Sequence, residues 1–156
     1  MIDSFRGHYS FLSNFYYASQ IINGVVYPTN EHFFQACKTL ILDEQIAIIN
    51  APKPGIAKQM ANPRGYKLPN GAIFKITIRQ DWEDIRIGVM NMGIEAKFSQ
   101  NIPLHNELML TQGTNLCEGN WWHDNFWGDC RCPKCLGSPG LNMLGRLLMA
   151  YRSRFV

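Results

Sequence analysis

Residues 27–38 read Tyr-Pro-Thr-Asn-Glu-His-Phe-Phe-Gln-Ala-Cys-Lys, and this stretch predicts the start of a helix. Thr29 or Asn30 can cap that helix, because their short polar side chains accept hydrogen bonds from its first backbone N–H groups. Glu31 in the first turn complements the positive end of the helix dipole. The stretch therefore begins a helix directly after a turn-rich segment.

The same helix is predicted to have two different faces. At about 100° per residue, Glu31, Gln35 and Lys38 fall on one narrow stripe. The apolar face on the other side consists of Phe33, Phe34, Cys37, Leu40 and Ile41. An acid and an amine are thus expected about two turns apart, although such pairs on helices are usually solvated surface pairs.

The flanking sequence predicts further elements. Asn23-Gly24 lies between two apolar pairs and favours a β-hairpin with a type I′ turn. Trp82, Ile85, Val89, Met92 and Ala96 recur at helical spacing after a candidate N-cap at Asp81. Additional helices are predicted near 56–61, 104–110 and 143–154, the last with a cap at Asn142. We expect a compact α+β fold, mainly helical with a few short strands, as a single domain over residues 1–156.

Composition narrows the class of protein. The chain has 156 residues, of which 46% are hydrophobic and 17% charged, as in a globular domain. The net charge of +3 is too small to indicate a nucleic-acid-binding tract. No apolar run is long enough to cross a bilayer, and the first residues do not resemble a signal peptide. A cytoplasmic protein without a membrane partner is expected.

Residues 118–129 form the most unusual stretch, with four aromatic residues, three acids and two glycines. No helical or strand period organises them. Such a loop suits a site that stacks a flat ring and places carboxylates beside it. The alternative is an aromatic loop that plugs the core while its acids cap local turns.

Three of the five cysteines lie close together as Cys130-x-Cys132-x-x-Cys135. Cys-x-x-Cys is common in zinc knuckles, but a tetrahedral site needs four ligands and there is no second such pair. His123 or Cys117 could complete the set only through folding. We favour free thiols and no cofactor, with a structural zinc on Cys130, Cys132 and Cys135 as the alternative.

Several motifs together resemble the NADAR family, also called YbiA-like. They are Phe-Leu-Ser-Asn-Phe at 11–15, the 27–38 stretch, Trp82, Met90, Lys97-Phe98, Leu110-Thr111, Leu116-Cys117-Glu118, Asp-Asn-Phe-Trp-Gly-Asp at 124–129, and residues 140–149. The resemblance covers almost the whole chain in the expected order. The cysteine-rich insertion at about 130–139 is absent from many members of the family.

The resemblance implies a YbiA-like fold and an enzyme that hydrolyses N-glycosidic bonds between a phosphorylated ribose and a base. The expected substrates are ribosylaminopyrimidine 5′-phosphates of early riboflavin synthesis or ADP-ribosylated guanine, so nucleic acid enters only as a modified substrate. The implied catalytic residues are Glu31, Lys38 and Asp124. The implied substrate-binding residues are Asn14, Gln35, Trp82, Lys97, Trp127 and Asp129.

Roles for the implied catalytic residues follow from the chemistry of the reaction. Glu31 is expected to transfer a proton and Asp124 to orient the sugar or water, although these roles could be exchanged. Lys38 could attack the opened sugar as a Schiff base or contact its phosphate. Two alternatives remain open, a non-catalytic ADP-ribose or nucleotide-binding module and a zinc-stabilised nucleic-acid adaptor.

Overall fold

The computed structural model describes residues 1–155, which divide into two compact units. The central unit is Tyr17–Lys97, and the terminal unit combines residues 1–16 with the chain from Phe98 onwards. Helices dominate and the strands are short, so the predicted mainly helical α+β class is confirmed. Within residues 1–155, no helix is both long and apolar enough to cross a bilayer. The single-domain organisation stays a prediction.

The central unit begins with the predicted hairpin. Strands β1 (Tyr17–Ile22) and β2 (Val25–Thr29) pair antiparallel, with Ile22 opposite Val25. Asn23 and Gly24 both have positive φ, 51° and 78°, as a type I′ turn requires. Alternate β1 residues are buried, which gives the hairpin one inward face.

Helix α1 spans Asn30–Ala36, and Thr29 is its N-cap. The Thr29 hydroxyl accepts a hydrogen bond from the backbone N–H of His32 at 3.2 Å. The imidazole of His32 is fully buried between Thr29 Oγ1 and the carbonyl oxygen of Ala51, at 2.8 and 3.0 Å. The predicted helix start is therefore confirmed, with Thr29 rather than Asn30 as the cap.

The predicted length of this helix is wrong. The chain leaves the helix after Ala36, because Thr39 forms an antiparallel bridge with Ile78 and the Lys38 carbonyl accepts from Arg79 N–H at 2.8 Å. Lys38 therefore lies in a turn and not on the helix. The apolar face does not continue to Leu40 and Ile41, which are exposed.

Two short helices and a second small hairpin complete the first part of the central unit. Helix α2 (Leu42–Ile49) was not predicted, whereas α3 (Pro54–Met60) confirms the helix expected near 56–61. Their shared core consists of Ala36, Ile48, Ala51, Ala57, Met60, Ala61 and Ile76. Strands β3 (Tyr66–Lys67) and β4 (Ile73–Phe74) then pair antiparallel.

Helix α4 (Trp82–Gln100) lies so close to α1 that one position has room only for glycine. A Cβ added at Gly93 would lie 1.8 Å from Asn30 Oδ1 and 2.9 Å from Phe33 Cδ1. Asn30 is fully buried and is held by Gln20 Nε2 and Met90 Sδ. The predicted buried stripe is right for Trp82 and Ala96 but wrong for Met92, which is exposed, because Met90 and Ile94 are buried instead.

The terminal unit contains a 3-10 helix (Gly7–Leu12) and the helices α5 (Ile102–Leu110) and α6 (Met143–Ser153). The two longer helices confirm the predictions for 104–110 and 143–154, but the predicted cap is wrong, because the Asn142 side chain bonds to the backbone of Leu116 and Glu118 instead of the helix. Arg152 of α6 is buried and donates to the carbonyl oxygens of Thr111 and Thr114. This guanidinium therefore joins α6 to the turn that follows α5. Strands β5 (Gly119–Asn120) and β6 (Asp129–Cys130) pair parallel.

We predict that Gly93→Ala destabilises the protein although alanine favours helices. The added methyl group must displace the buried Asn30 amide, and overpacking of this kind costs about 1–3 kcal/mol. Gly88→Ala is the matched control, because nothing lies within 4 Å of the added Cβ on the same helix. That change should stabilise by up to ~1 kcal/mol. Denaturant unfolding of both variants measures the difference, and equal stabilities would contradict the close approach.

Candidate active site

The central unit contains a buried polar pair on α1. Glu31 and Gln35 are only 5% and 3% exposed, and the Gln35 side-chain amide donates to Glu31 Oε1 at 2.7 Å. They are four residues apart, which places them on adjacent turns of one helix face. The predicted stripe thus does contain both residues, but it faces the interior. A buried carboxyl group held by a neutral donor is a suitable proton-transfer group.

Gln35 also presents a buried acceptor that the protein does not use. No hydrogen-bond partner for its Oε1 is found among residues 1–155. The orientation of this amide follows from the pair, since its NH2 group donates to Glu31 Oε1 and its own oxygen points elsewhere. A buried acceptor left unpaired costs about 1–3 kcal/mol. A hydroxyl or amino group of a bound ligand would remove this cost.

The amine of Lys38 lies against two aromatic rings of the central unit. Its Nζ is 5.9 Å from the ring centroids of both Phe34 and Trp82. The two rings meet edge to face with their centroids 4.9 Å apart. The sequence analysis selected Trp82 but assigned Phe34 to the core. Helical spacing could not have revealed this contact, because Lys38 lies in the turn after α1.

Burial lowers the pKa of Lys38 below its usual value. The carboxylates of Glu31 and Glu83 oppose this change, while the positive charges of Lys58 and Arg86 add to it. The lowered pKa increases the share of neutral amine near pH 7. A neutral amine is the form that can act as a nucleophile.

The pKa of the neighbouring Cys37 thiol is shifted away from its reactive form. Burial raises the pKa of Cys37 to about 11, which Arg79 only partly offsets. Because the thiolate is the reactive form of cysteine, Cys37 is a poor nucleophile near neutral pH. Burial therefore shifts Lys38 toward its nucleophilic form and Cys37 away from its own.

Lys97 does not join this cluster around Trp82. Both residues belong to α4, but they are 15 residues apart, which corresponds to about 22 Å along the helix axis. The Lys97 side chain is only 1% exposed. Its predicted contact with the substrate stays a prediction.

The acid-rich loop of the terminal unit is organised by side chains that bond to backbone. Pairing of β5 with β6 brings Asn120 and Cys130 opposite each other at the base of the loop. The Asn120 side chain accepts from the N–H groups of Trp122 and Asp124 and donates to the Asp124 carbonyl oxygen at 2.7 Å. A stretch without helical or strand period thus becomes a fixed loop.

The Asp124 carboxylate also bonds to the backbone of the loop. Its Oδ1 accepts from the backbone N–H groups of Phe126 and Trp127 at 3.1 and 2.8 Å. Only one carboxylate oxygen is needed for both bonds, so the other can serve a ligand. The catalytic role of Asp124 stays a prediction.

The remaining predicted binding residues of the terminal unit have different environments. Trp127 is half-buried and meets Phe126 edge to face, and Asp129 Oδ1 accepts from Gly140 N–H at 2.7 Å. Asn14 is buried. Two further tryptophans of the loop, Trp121 and Trp122, are at least half exposed, so they do not plug a core. Substrate contacts for Asn14, Trp127 and Asp129 stay predictions.

The three clustered cysteines come together with a histidine from the same loop. The ligand atoms of His123, Cys130, Cys132 and Cys135 all lie within 4.8 Å of one another. All five cysteines of the chain are free thiols, and Cys117 lies outside this group. The sequence analysis named His123 only as a residue that folding could bring to the cluster.

Comparison with known proteins identifies relatives of this chain. The family model described as NADAR domain matches residues 4–156. The solved NMR structure of the Escherichia coli protein YbiA superimposes with a TM-score of 0.75 at 29% identity, covering 99% of this chain and 86% of that one. The E. coli protein named N-glycosidase YbiA is 32% identical over 94% of this chain and 81% of its own length.

Two other relatives are much longer proteins. A riboflavin biosynthesis protein of Vibrio vulnificus is 34% identical over 93% of this chain, which spans 35% of that protein. The chloroplastic riboflavin biosynthesis protein PYRR of Zea mays is 38% identical over 83% of this chain, which spans 20% of the maize protein. The similarity thus covers nearly the whole of this chain but only part of these two proteins.

We predict that Asp124→Asn and Asp124→Ala differ in stability. Asparagine keeps the Oδ1 acceptor for Phe126 and Trp127 N–H, so its effect should stay within ~0.5 kcal/mol. Alanine removes the acceptor and should cost about 1–2 kcal/mol, as loss of a cap does. Thermal unfolding measures both variants. Equal destabilisation by the two changes would contradict the role assigned to Oδ1.

Proposed function

Because the chain belongs to the NADAR domain family, we propose that it is an N-glycosidase acting on the bond between a phosphorylated ribose and a nitrogen base. The observation that carries this proposal is the position of Lys38, a half-buried amine against Phe34 and Trp82 and electrostatically coupled to the buried Glu31. Nucleophile, proton carrier and aromatic surface thus occur together in the central unit. The E. coli relative named N-glycosidase YbiA supports the same reaction class.

Lys38 is proposed to act as the nucleophile on C1 of the ribose. Ring opening leaves C1 joined to the base nitrogen as a protonated imine. The neutral Lys38 amine adds to C1, one proton passes from this amine to the base nitrogen, and the bond from C1 to the base nitrogen breaks, which leaves a protonated Schiff base between C1 and Lys38. The resulting Schiff base is hydrolysed when water adds to C1 and the amine leaves. The products are free base, ribose phosphate and regenerated Lys38, so the net reaction consumes one water molecule.

Glu31 is proposed to carry the proton between these two nitrogens. It takes the proton that the attacking Lys38 amine loses and gives it to the departing base nitrogen, which leaves as a neutral amine. Gln35 donates to Glu31 Oε1 at 2.7 Å and so orients the carboxyl group for this exchange. The unused Gln35 Oε1 would accept from a hydroxyl or amino group of the substrate.

Two cations near Lys38 support a phosphorylated substrate, although one of them, Arg86, is also paired with Glu83 at 3.0 Å. Lys58 and Arg86 are close enough for their positive charges to lower the pKa of Lys38. A phosphate group attracts such cations strongly, and arginine can bind it with two parallel hydrogen bonds. These two residues are therefore the candidates for binding the 5′-phosphate.

Among the expected substrates, we propose a ribosylaminopyrimidine 5′-phosphate. Two of the relatives are named riboflavin biosynthesis proteins, and they share 34% and 38% identity with this chain. An ADP-ribosylated guanine is the second substrate class to test.

We predict that Glu31→Gln lowers kcat by at least ~100-fold, since general acid–base groups contribute 10²–10⁴-fold. Release of free base from a ribosylaminopyrimidine 5′-phosphate is followed by chromatography and mass spectrometry. Glutamine keeps the size of the side chain, so binding should persist. Glu107→Gln is the matched control, because it makes the same chemical change at an exposed position of α5.

The outcomes of this experiment separate the alternatives. Cleavage of ADP-ribosylated guanosine alone would show that ADP-ribosylated guanine is the substrate class, and the proposed reaction would stand. Binding of either compound without any release of base would favour a binding module and overturn the enzymatic proposal. Full activity of Glu31→Gln would remove Glu31 from the mechanism.

We also predict a pH dependence that originates from Lys38. Only the neutral amine attacks, so kcat/KM should rise with pH through a pKa below that of ordinary lysine, in the direction set by burial. Borohydride added with substrate should inactivate the enzyme and leave a ribose phosphate adduct on Lys38. Lys38→Arg keeps the positive charge but cannot form a Schiff base. Normal turnover of that variant would rule out covalent catalysis.

A further inference from the structure

The terminal unit contains a second cluster of reactive groups, formed by His123, Cys130, Cys132 and Cys135. Their ligand atoms all lie within 4.8 Å of one another. His123 Nδ1 is 3.1 Å from Cys132 Sγ and 3.5 Å from Cys135 Sγ. From these contacts we propose that the four side chains bind one zinc ion in a closed tetrahedral site. The proposal does not depend on the glycosidase activity.

The distances match those of a tetrahedral zinc site. With Zn–S of about 2.3 Å and Zn–N of about 2.0–2.1 Å, the ligand atoms of such a site are separated by roughly 3.6–3.8 Å. Of the two nitrogen–sulfur distances, 3.5 Å lies close to this range and 3.1 Å lies about 0.5 Å below it, and all other pairs lie within 4.8 Å. Small movements of the side chains would therefore be enough to admit the ion.

The surrounding backbone is arranged as in a metal-binding loop. Pairing of β5 with β6 fixes Cys130, and the Cys135 N–H donates to the Cys132 carbonyl at 3.0 Å, closing the Cys-x-x-Cys turn. His123 approaches from the other end of the loop with φ of 67°, a left-handed conformation that costs an L-residue about 1–2 kcal/mol. Two separate segments thus converge on one point.

A hydrogen bond to sulfur also favours thiolate ligands. The His123 backbone N–H donates to Cys130 Sγ at 3.3 Å. Donors of this kind stabilise the negative charge of a metal-bound sulfur and orient it. Cys130 and Cys132 are buried, at 4% and 6% exposure, whereas Cys135 is half-buried and His123 is exposed, so the site lies at the surface with its sulfur side inward.

A disulfide accounts for the arrangement less well. One bridge can join only two of the three thiols, and it leaves the third thiol and the imidazole without a function. Three thiolates and one imidazole are instead the Cys₃His set of structural zinc sites, and soft sulfur ligands exclude calcium and magnesium. Because all four positions come from protein, no site remains for a catalytic water.

The site would fix the loop that carries Asp124. Asp124 directly follows one proposed ligand, His123, and Asp129 directly precedes another, Cys130. Zinc would thus hold both ends of the segment between these ligands. Its role is structural, and removal of the metal should loosen this loop.

The test is the metal content of the full chain, purified under reducing conditions after expression with added zinc. We expect about one zinc ion per chain by inductively coupled plasma mass spectrometry and by native mass spectrometry. Cys132→Ser should reduce this to less than about a tenth, because three ligands bind zinc far more weakly than four. Cys117→Ser is the matched control and should retain the full content.

A second measurement tests metal binding on the wild-type protein, so it applies even if Cys132→Ser does not fold. Wild-type protein stripped with a chelator and reconstituted with Co²⁺ should develop the visible bands of tetrahedral cobalt and thiolate-to-cobalt charge transfer. Chelation should lower Tm, and added zinc should restore it. Wild-type protein that binds neither metal, or zinc content unchanged in Cys132→Ser, would overturn the proposal.

Discussion

The central unit depends on the close approach of α1 to α4 at Gly93. Any side chain at position 93 would collide with Asn30, so the two helices can meet only because this residue is glycine. Asn30 is in turn held by Gln20 of β1 and Met90 of α4. One contact therefore connects the hairpin and both helices. It also fixes the first turn of α1, where Glu31 directly follows Asn30.

This packing determines which polar groups can be buried. Buried donors and acceptors normally find partners, and His32 and Asn30 do so. The side-chain oxygens of Gln20 and Gln35 are exceptions among the described residues. For Gln35 the bond to Glu31 offers an explanation, because an acceptor beside a buried acid is where a substrate group would be positioned. For Gln20 the structure offers no comparable explanation.

The sequence predicted the features that local interactions determine, and it failed where tertiary contacts determine the structure. The Asn23-Gly24 turn and the Thr29 cap were predictable, because each depends on residues adjacent in sequence. The residue at which α1 ends was not predictable, because it depends on the bridge between Thr39 and Ile78, which are distant in sequence. The spacing of Glu31 and Gln35 placed both residues on one helix face but did not predict that this face is buried. Lys38 was selected by a helical geometry that it does not have. The meeting of His123 with the cysteines depends on the β5–β6 pairing.

The two units position their candidate residues by different physical means. Glu31 lies on a helix whose packing already restricts it, whereas residues 121–128 belong to a loop between two strands of two residues each. Ordering such a loop costs on the order of 10 kcal/mol in backbone entropy, at about 1–2 kcal/mol per residue. The side-chain caps from Asn120 and Asp124 contribute about 1 kcal/mol per bond. Structural zinc contributes roughly 10–16 kcal/mol in small metal-binding peptides, which is of the same order as this cost. A metal held by His123 and the three cysteines would therefore explain how so short a sheet maintains an ordered loop.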